Sequence, residues 1–293
     1  MKPASFKYVE VADEDALAAA LANYGDEASL LAGGQSLVPM MNFRVVSPEA
    51  IIDLNRVDTL SYIDCGEDTL RIGALARHAM LEDSDVLSRR CPLLSRAVGN
   101  VAHRAVRNRG TTGGTLALAY PGAEIPLALM TLDADVVLRS QREERKLGIR
   151  DFILGSLDTA LDADEYIRHV EIKLPPAKSI ASFVETSRRH GDFAIAAAAV
   201  VAARNDNGQL AYLRIGVSGG TGAPVRMAAL EEIIIGSDLA DKVIADGVHE
   251  TIDGIEVFGD HHYPEDFRRH VLQGVLRRAL NEAIFGSEHR HVQ

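Results

Sequence analysis

An α+β fold in two parts is predicted for this chain, and three features predict it. Stretches with strand and helix periodicity follow one another without the sustained alternation of a doubly wound sheet. Consecutive prolines, Pro175-Pro176, end a strand pattern abruptly and cannot continue a central strand, so the boundary between the parts is placed there. Beyond it come long strands and then only helices. The parts are 1–176, with subdomains of about 1–56 and 57–176, and 177–293.

Phe6-Lys7-Tyr8-Val9 is the opening strand. Asp13 then caps a helix, because its carboxylate can accept from first-turn amides, and the helix runs to Asn23-Tyr24 and stops at Gly25. Ala16, Leu17, Ala20 and Leu21 supply its apolar stripe. A strand at Ser29-Leu30-Leu31 feeds a glycine pair, and Ala50-Ile51-Ile52-Asp53-Leu54 closes the first subdomain. From Leu60 the texture changes to short strands at 61–63 and 70–73 around a turn at Gly66-Glu67-Asp68. Helical patterns follow near 77–81 and 92–101, then a second glycine-rich loop, a helix from Pro121 to Leu132, and strands at 134–138 and 166–174. In the second part, 181–186, 195–203 and 209–217 are strands, the last two joined by a hairpin at Asp206-Asn207-Gly208. Helices near 227–235, 239–251 and 265–285 complete the chain.

Composition narrows the function. At 293 residues, 47% hydrophobic and 25% charged, the chain is an ordinary globular protein with room for two cores. No apolar run is long enough to span a bilayer, and residues 1–7 carry no hydrophobic signal core, so a cytoplasmic protein with no transmembrane segment is expected. Cys65 and Cys91 have no C-x-x-C spacing, and two cysteines cannot build a disulfide framework or a cysteine-ligated iron-sulfur cluster. The net charge of −11 argues against nucleic acid. Between Asp85 and Glu124 there is no acid, while Arg89, Arg90, Arg96, Arg104, Arg107 and Arg109 fall inside that window. Such a bias gives either a local positive field for an anion or acidic partner, or a solvated helix face.

Leu30-Leu31-Ala32-Gly33-Gly34-Gln35-Ser36-Leu37 runs apolar residues into two glycines and a polar pair, the pattern of a buried strand ending where backbone must approach something closely. Arg109-Gly110-Thr111-Thr112-Gly113-Gly114-Thr115-Leu116 has the same chemistry, with hydroxyls beside a glycine pair. Either stretch alone is more simply a turn. Together they suggest one diphosphate held by backbone N–H groups and short hydroxyls. Neither is G-x-G-x-x-G nor a P-loop, and no lysine follows either pair.

The stretches Leu31 to Met41 and Asn108 to Ala117, with Ile72-Gly73-Ala74, closely resemble the FAD-binding medium subunit of carbon monoxide dehydrogenase-type molybdenum hydroxylases, of the xanthine dehydrogenase family. The resemblance continues in Ile52-Asp53-Leu54-Asn55, in Arg188 to Ala194 and in Pro224-Val225-Arg226, so it covers essentially the whole chain. It implies a two-subdomain FAD-binding domain of the vanillyl-alcohol-oxidase (PCMH) type, followed by a small α+β C-terminal domain with an antiparallel sheet. It also implies FAD in this chain, with its pyrophosphate between the two glycine stretches. The cofactor-binding residues carried over are Ala32, Gly33, Gly34, Gln35 and Ser36, and Thr111, Thr112, Gly113, Gly114 and Thr115. Ala102 falls at a position beside the flavin, or is a helix residue chosen for packing. Glu124 falls at an acidic position that accepts from cofactor sugar hydroxyls, or is a first-turn acid favoured by the helix dipole. Phe193 is either an aromatic neighbour of the flavin or a core residue opening a strand. The chain departs from the family at Tyr120, where an aspartate is frequent, and at Glu185, where several members carry a lysine.

By the same resemblance, a large molybdopterin subunit hydroxylates the substrate and a small subunit with iron-sulfur clusters relays electrons. FAD here passes them to an external acceptor, the whole forming a dimer of heterotrimers. No side chain is nominated as acid, base or nucleophile, no metal site is assigned, and substrate and acceptor are left open. Two other classes remain at this point. One is a docking scaffold whose flavin site has decayed. The other is a serine hydrolase using Ser218, since Gly216-Val217-Ser218-Gly219-Gly220 matches G-x-S-x-G. That elbow needs a helix after its serine, whereas Gly222 and Pro224 predict a turn. The histidines at His261-His262 and His289-x-His291 lack the further ligands of a metal site.

Overall fold

The computed structural model describes residues 1–286, and these fall into two compact units. Each unit takes three separate stretches of chain. The first is built from Met1–Asp83, His103–Leu118 and Ala134–Lys173; the second takes Ser84–Ala102, Ala119–Asp133 and the chain from Leu174 onward.

In the first unit a three-stranded parallel sheet has Ala50–Asp53 between Lys7–Glu10 and Ala28–Leu31. The central strand is apolar and buried, as a parallel strand covered on both faces should be. Asp13 caps the helix Glu14–Tyr24 by accepting from the Ala16 N–H at 2.8 Å, and Gly25 ends it in the left-handed region at φ 50°. Its buried face is Leu17, Ala18 and Leu21, with Ala16 left exposed, because this is the face that meets Val11, Ile52 and Leu54.

A five-stranded antiparallel sheet follows, ordered Ile63–Cys65, Thr69–Gly73, Tyr166–Lys173, Asp135–Arg139, Glu144–Gly148. The last strand was not expected from its sequence, Glu-Arg-Lys-Leu-Gly. It is a charged edge strand that is paired on one side only, and it shows no apolar alternation. The connections that approach the glycine segments leave this sheet at Gly73 and the small one at Leu31 and Asp53.

The second unit contains a four-stranded antiparallel sheet, ordered Ile180–Thr186, Ala196–Arg204, Leu210–Ser218, Val225–Arg226. Gly208 turns the hairpin at φ 79°. Along Ala196–Arg204 the alternate residues Ala196, Ala198, Val200 and Ala202 join Leu272, Leu276 and Leu280 of the helix Glu265–Phe285 in one core. The intervening Ala197, Ala199 and Val201 are buried as well, so small side chains let elements pack on both faces. Opposite Ala199 sits Gly216, where a Cβ would come 2.2 Å from Thr131 Oγ1 on the helix Glu124–Thr131. Helices Ala228–Ile235 and Asp241–Asp253 complete this unit. No helix among the described residues is long and apolar enough to cross a membrane.

Glu231 ties the second unit together. Its carboxylate accepts from Arg226 Nε at 2.9 Å and Nη2 at 2.8 Å, and from the Ile215 N–H at 2.9 Å, with both side chains almost fully enclosed. Among the described residues, Glu231→Ala leaves Arg226 with only the exposed Asp133 as counter-charge, and it is expected to cost about 3 kcal/mol in denaturant unfolding. A loss under about 1 kcal/mol, the size of a surface pair, contradicts that assignment.

Candidate functional site

The first glycine segment leaves the strand Ala28–Leu31 and turns at Gly34, whose φ of 72° is left-handed. Among the described residues, the backbone N–H groups of Gly33, Gly34, Gln35 and Ser36 have no hydrogen-bond partner. Their carbonyls are used: Gly34 O accepts from the Val38 N–H at 3.2 Å and Ser36 O from the Met40 N–H at 3.1 Å. Four consecutive unsatisfied donors around a left-handed residue are the makings of an anion-binding nest.

The second segment was expected to be a loop and is the start of a helix, Thr112–Leu118. Its first amides are all spent inside the protein. Thr112 N–H donates to Ala76 O at 3.1 Å, Gly113 to Ala74 O at 2.8 Å, Gly114 to Thr111 Oγ1 at 3.2 Å and Thr115 to Thr111 O at 3.0 Å. Two glycines disfavour a helix by about 1 kcal/mol each. Packing overrides that preference here, since a Cβ on Gly113 would lie 2.7 Å from Ala74 Cβ. Thr111 and Thr112 are buried, and the Thr112 hydroxyl donates to Ala76 O. Gly114 is exposed and Thr115 half-buried, so the accessible part of this segment is its second half.

The two segments touch. A Cβ on Gly33 would fall 2.3 Å from Arg109 O and 3.0 Å from Gly110 Cα, and one on Gly114 would sit 4.0 Å from Ala32 Cβ. A strut joins them: Asn55 Nδ2 donates to Ala32 O at 3.0 Å, and Arg77 donates to Asn55 Oδ1 and to Arg109 O. Asp53 anchors the strut by accepting from the Asn55 N–H at 2.9 Å and the Tyr8 hydroxyl at 2.6 Å. Burial pushes the Asp53 carboxyl up, but the bonds from Tyr8 and Asn55 and the charge of Arg109 outweigh it and hold the group below the ordinary range. Burial, then the Arg109 charge, lowers the pKa of Arg77. Arg77 and Arg109 thus stand near Asp53, two cationic side chains to one carboxylate. A diphosphate fits these residues: four unpartnered donors, an accessible threonine and two nearby arginines.

Asn55, Arg77 and His78 were not singled out as site residues by sequence reasoning. Asn55 carried a signal, since Asp53-Leu54-Asn55 closes a strand with residues that favour side-chain to backbone bonds. Of the arginine-rich window, Arg104 pairs with Glu82 at 2.7 Å and with Asp83, and Arg107 with Glu82 at 2.8 Å, so these two charges are compensated.

Ala102 and Glu124 belong to the second unit. Ala102 has φ 43°, an unusual conformation for a residue other than glycine. Glu124 opens its helix almost fully buried, and burial, reinforced by the charge of Glu185, pushes its carboxyl up to about 8 despite its own backbone N–H. Glu185, half-buried and with Oε2 unpartnered among the described residues, is raised by burial to about 7. Tyr120 and Phe193 are partly exposed and lie ring to ring at 4.1 Å. Phe193 is therefore not a core residue.

Ser218 is the last residue of its strand, buried, with a hydroxyl that has no partner among the described residues. The next regular element is the strand Val225–Arg226, so the helix of a nucleophile elbow is absent. His261 and His262 are exposed with rings 5.5 Å apart. Among the described residues no group of three or more His, Cys, Asp or Glu is placed to hold a metal ion, and His289 and His291 lie outside those residues.

Comparison with known proteins gives two family matches, the FAD binding domain in molybdopterin dehydrogenase over residues 4–176 and the CO dehydrogenase flavoprotein C-terminal domain over 181–283. The chain is 38% identical to the 6-hydroxypseudooxynicotine dehydrogenase complex subunit alpha of Paenarthrobacter nicotinovorans, over 97% of this chain and 96% of that one. It is 34% identical to the caffeine dehydrogenase subunit beta of Pseudomonas sp. (strain CBB1), with the same coverage of 97% and 96%. Among solved structures it superimposes on carbon monoxide dehydrogenase from Hydrogenophaga pseudoflava, in a form lacking the Mo-pyranopterin moiety of the molybdenum cofactor, with a TM-score of 0.92 and 30% identity over 97% of this chain and 98% of that one.

Proposed function

Since the chain belongs to the family of FAD-binding subunits of molybdopterin dehydrogenases, we propose that its first unit holds the FAD diphosphate on the free amides of Gly33, Gly34, Gln35 and Ser36. The chain is an FAD-dependent oxidoreductase subunit of the carbon monoxide and xanthine dehydrogenase type. When bound, FAD supplies the redox chemistry; the protein's share is to bind and orient it.

The observation that carries the diphosphate assignment is the run of four unpartnered N–H groups, pressed against the second glycine segment by the Asn55–Arg77 strut. In this reading Ala32 supports the nest through its carbonyl, and Gly114 and Thr115 face the cofactor. Thr111, Thr112 and Gly113 act from beneath, as the pins that hold the second segment against 74–76. Ala102 and Glu124 are retained as flavin-side and sugar-side residues on the strength of the resemblance. The division into 1–176 and 177–293 is supported by the extents of the two family matches.

The relatives are named as subunits or medium chains of multi-subunit enzymes. For this chain the reading is a large molybdopterin subunit and a small iron-sulfur subunit as partners, two such trios per enzyme, working in the cytoplasm. Reducing equivalents come from another chain because Cys65 and Cys91, half-buried and buried, cannot build a cluster. Affinity isolation of the tagged chain from its native cells tests this. Co-purification of molybdenum, iron and flavin in constant proportion, with two further polypeptides, is expected; isolation as a flavoprotein free of both metals contradicts it.

A further inference from the structure

His78 opens the helix His78–Glu82 and is 3% exposed. Its N–H donates to Gly110 O at 3.0 Å, and its ring packs so closely on Gly110 that a Cβ there would come 2.7 Å from Nδ1. Nδ1 is enclosed and, among the described residues, has no partner in hydrogen-bond geometry, while Nε2 lies 3.3 Å from Thr115 Oγ1. Among the described residues, that ring nitrogen is the hydrogen-bond partner of the Thr115 side chain.

Thr115 differs from its neighbours. The Thr112 hydroxyl is spent on Ala76 O, and Thr111 Oγ1 accepts from the Gly114 N–H, both in buried surroundings. Thr115 is half-buried, so its hydroxyl is the one in this segment with room for a ligand. Among the described residues Nδ1 has no partner in hydrogen-bond geometry while Nε2 faces Thr115 Oγ1, so the proton is assigned to Nε2.

We propose that His78 is a positioning residue for the cofactor: its Nε2–H donates to Thr115 Oγ1, leaving the Thr115 O–H proton free to point at an FAD phosphate oxygen. This rests on the reading that Thr115 faces FAD. Burial keeps the imidazole neutral, lowering it to about 4 with help from the charges of Arg107 and Arg77 and against the Thr111 backbone. His78 therefore acts through its tautomer and not through its charge.

The test is FAD affinity of the full chain by flavin fluorescence titration. Glutamine can place an amide N–H where Nε2 stands, whereas asparagine reaches only the Nδ1 position and leucine has neither. His78→Gln is expected to bind FAD within a factor of two or three of wild type, and His78→Asn and His78→Leu about tenfold more weakly, the size of one hydrogen bond. Thr115→Val is expected to lose a similar factor, and His78→Leu to add nothing further in its background. Thermal unfolding of the FAD-free proteins separates packing losses, which any of these variants can show, from this pattern. The proposal is overturned if His78→Asn binds like wild type, or if the His78→Leu and Thr115→Val losses multiply. Failure of the wild type itself to bind FAD overturns the FAD assignment and this proposal with it.

Discussion

Gly33→Ala is expected to weaken FAD binding by about 10- to 100-fold. The added Cβ would lie 2.3 Å from Arg109 O and 2.9 Å from its carbonyl carbon, both backbone atoms that cannot rotate away. Overpacking of this kind costs about 1–3 kcal/mol. The strain is relieved by parting the two glycine segments, and the separated state lacks the cradle. Affinity then falls by the fraction of molecules still competent to bind. Gly274→Ala is the matched control, in an exposed helix position where a Cβ meets nothing within 4 Å. It is expected to stabilise the chain by up to about 1 kcal/mol and to leave FAD affinity as it was.

The second large effect is on pH-dependent stability. Glu124 is an acid whose folded pKa is raised to about 8, chiefly by burial. Between its ordinary value and about 8 the unfolded chain has released the proton while the folded chain keeps it. Fewer protons bound in the unfolded state means stability falls as pH rises through that window. At about 1.4 kcal/mol per unit, the loss from this group is roughly 3–5 kcal/mol by pH 8. Glu124→Gln keeps the shape and removes the titration. Melting curves of the two proteins should therefore run together near pH 4.5 and separate steadily toward pH 8, the variant being the more stable. Parallel curves across the range would mean that Glu124 ionises freely in the folded chain.

Much of the fold was legible because local rules agree with packing. Asp13 and Gly25 bound a helix by capping, and Asp206-Asn207-Gly208 supplied the hairpin. The strand 144–148 was not legible, because an edge strand of charged residues has no apolar face to announce it. Nor was the helical state of Thr112–Leu118, which exists because Gly113 fits against Ala74, a contact across 39 residues that propensity opposes. The interleaving of the two units is equally invisible to a reading along the chain.

The site divides in the same way. Glycine pairs marked both segments, and their contact at Gly33 and Arg109 is what paired glycines suggested. The division of labour between them was not visible, since free amides in one and spent amides in the other depend on where 74–76 lie. Asn55, Arg77 and His78 act through partners 22 to 37 positions away, beyond any local motif.

The central claim is that the two touching glycine segments hold FAD, and one titration tests it. FAD is added to the flavin-free full chain, to Gly33→Ala and to Gly274→Ala, and bound flavin is followed by its visible absorption and quenched fluorescence. Equimolar uptake by wild type and Gly274→Ala, with Gly33→Ala at least about tenfold weaker, is the predicted result. No uptake by wild type, or equal affinity in all three proteins, would contradict it.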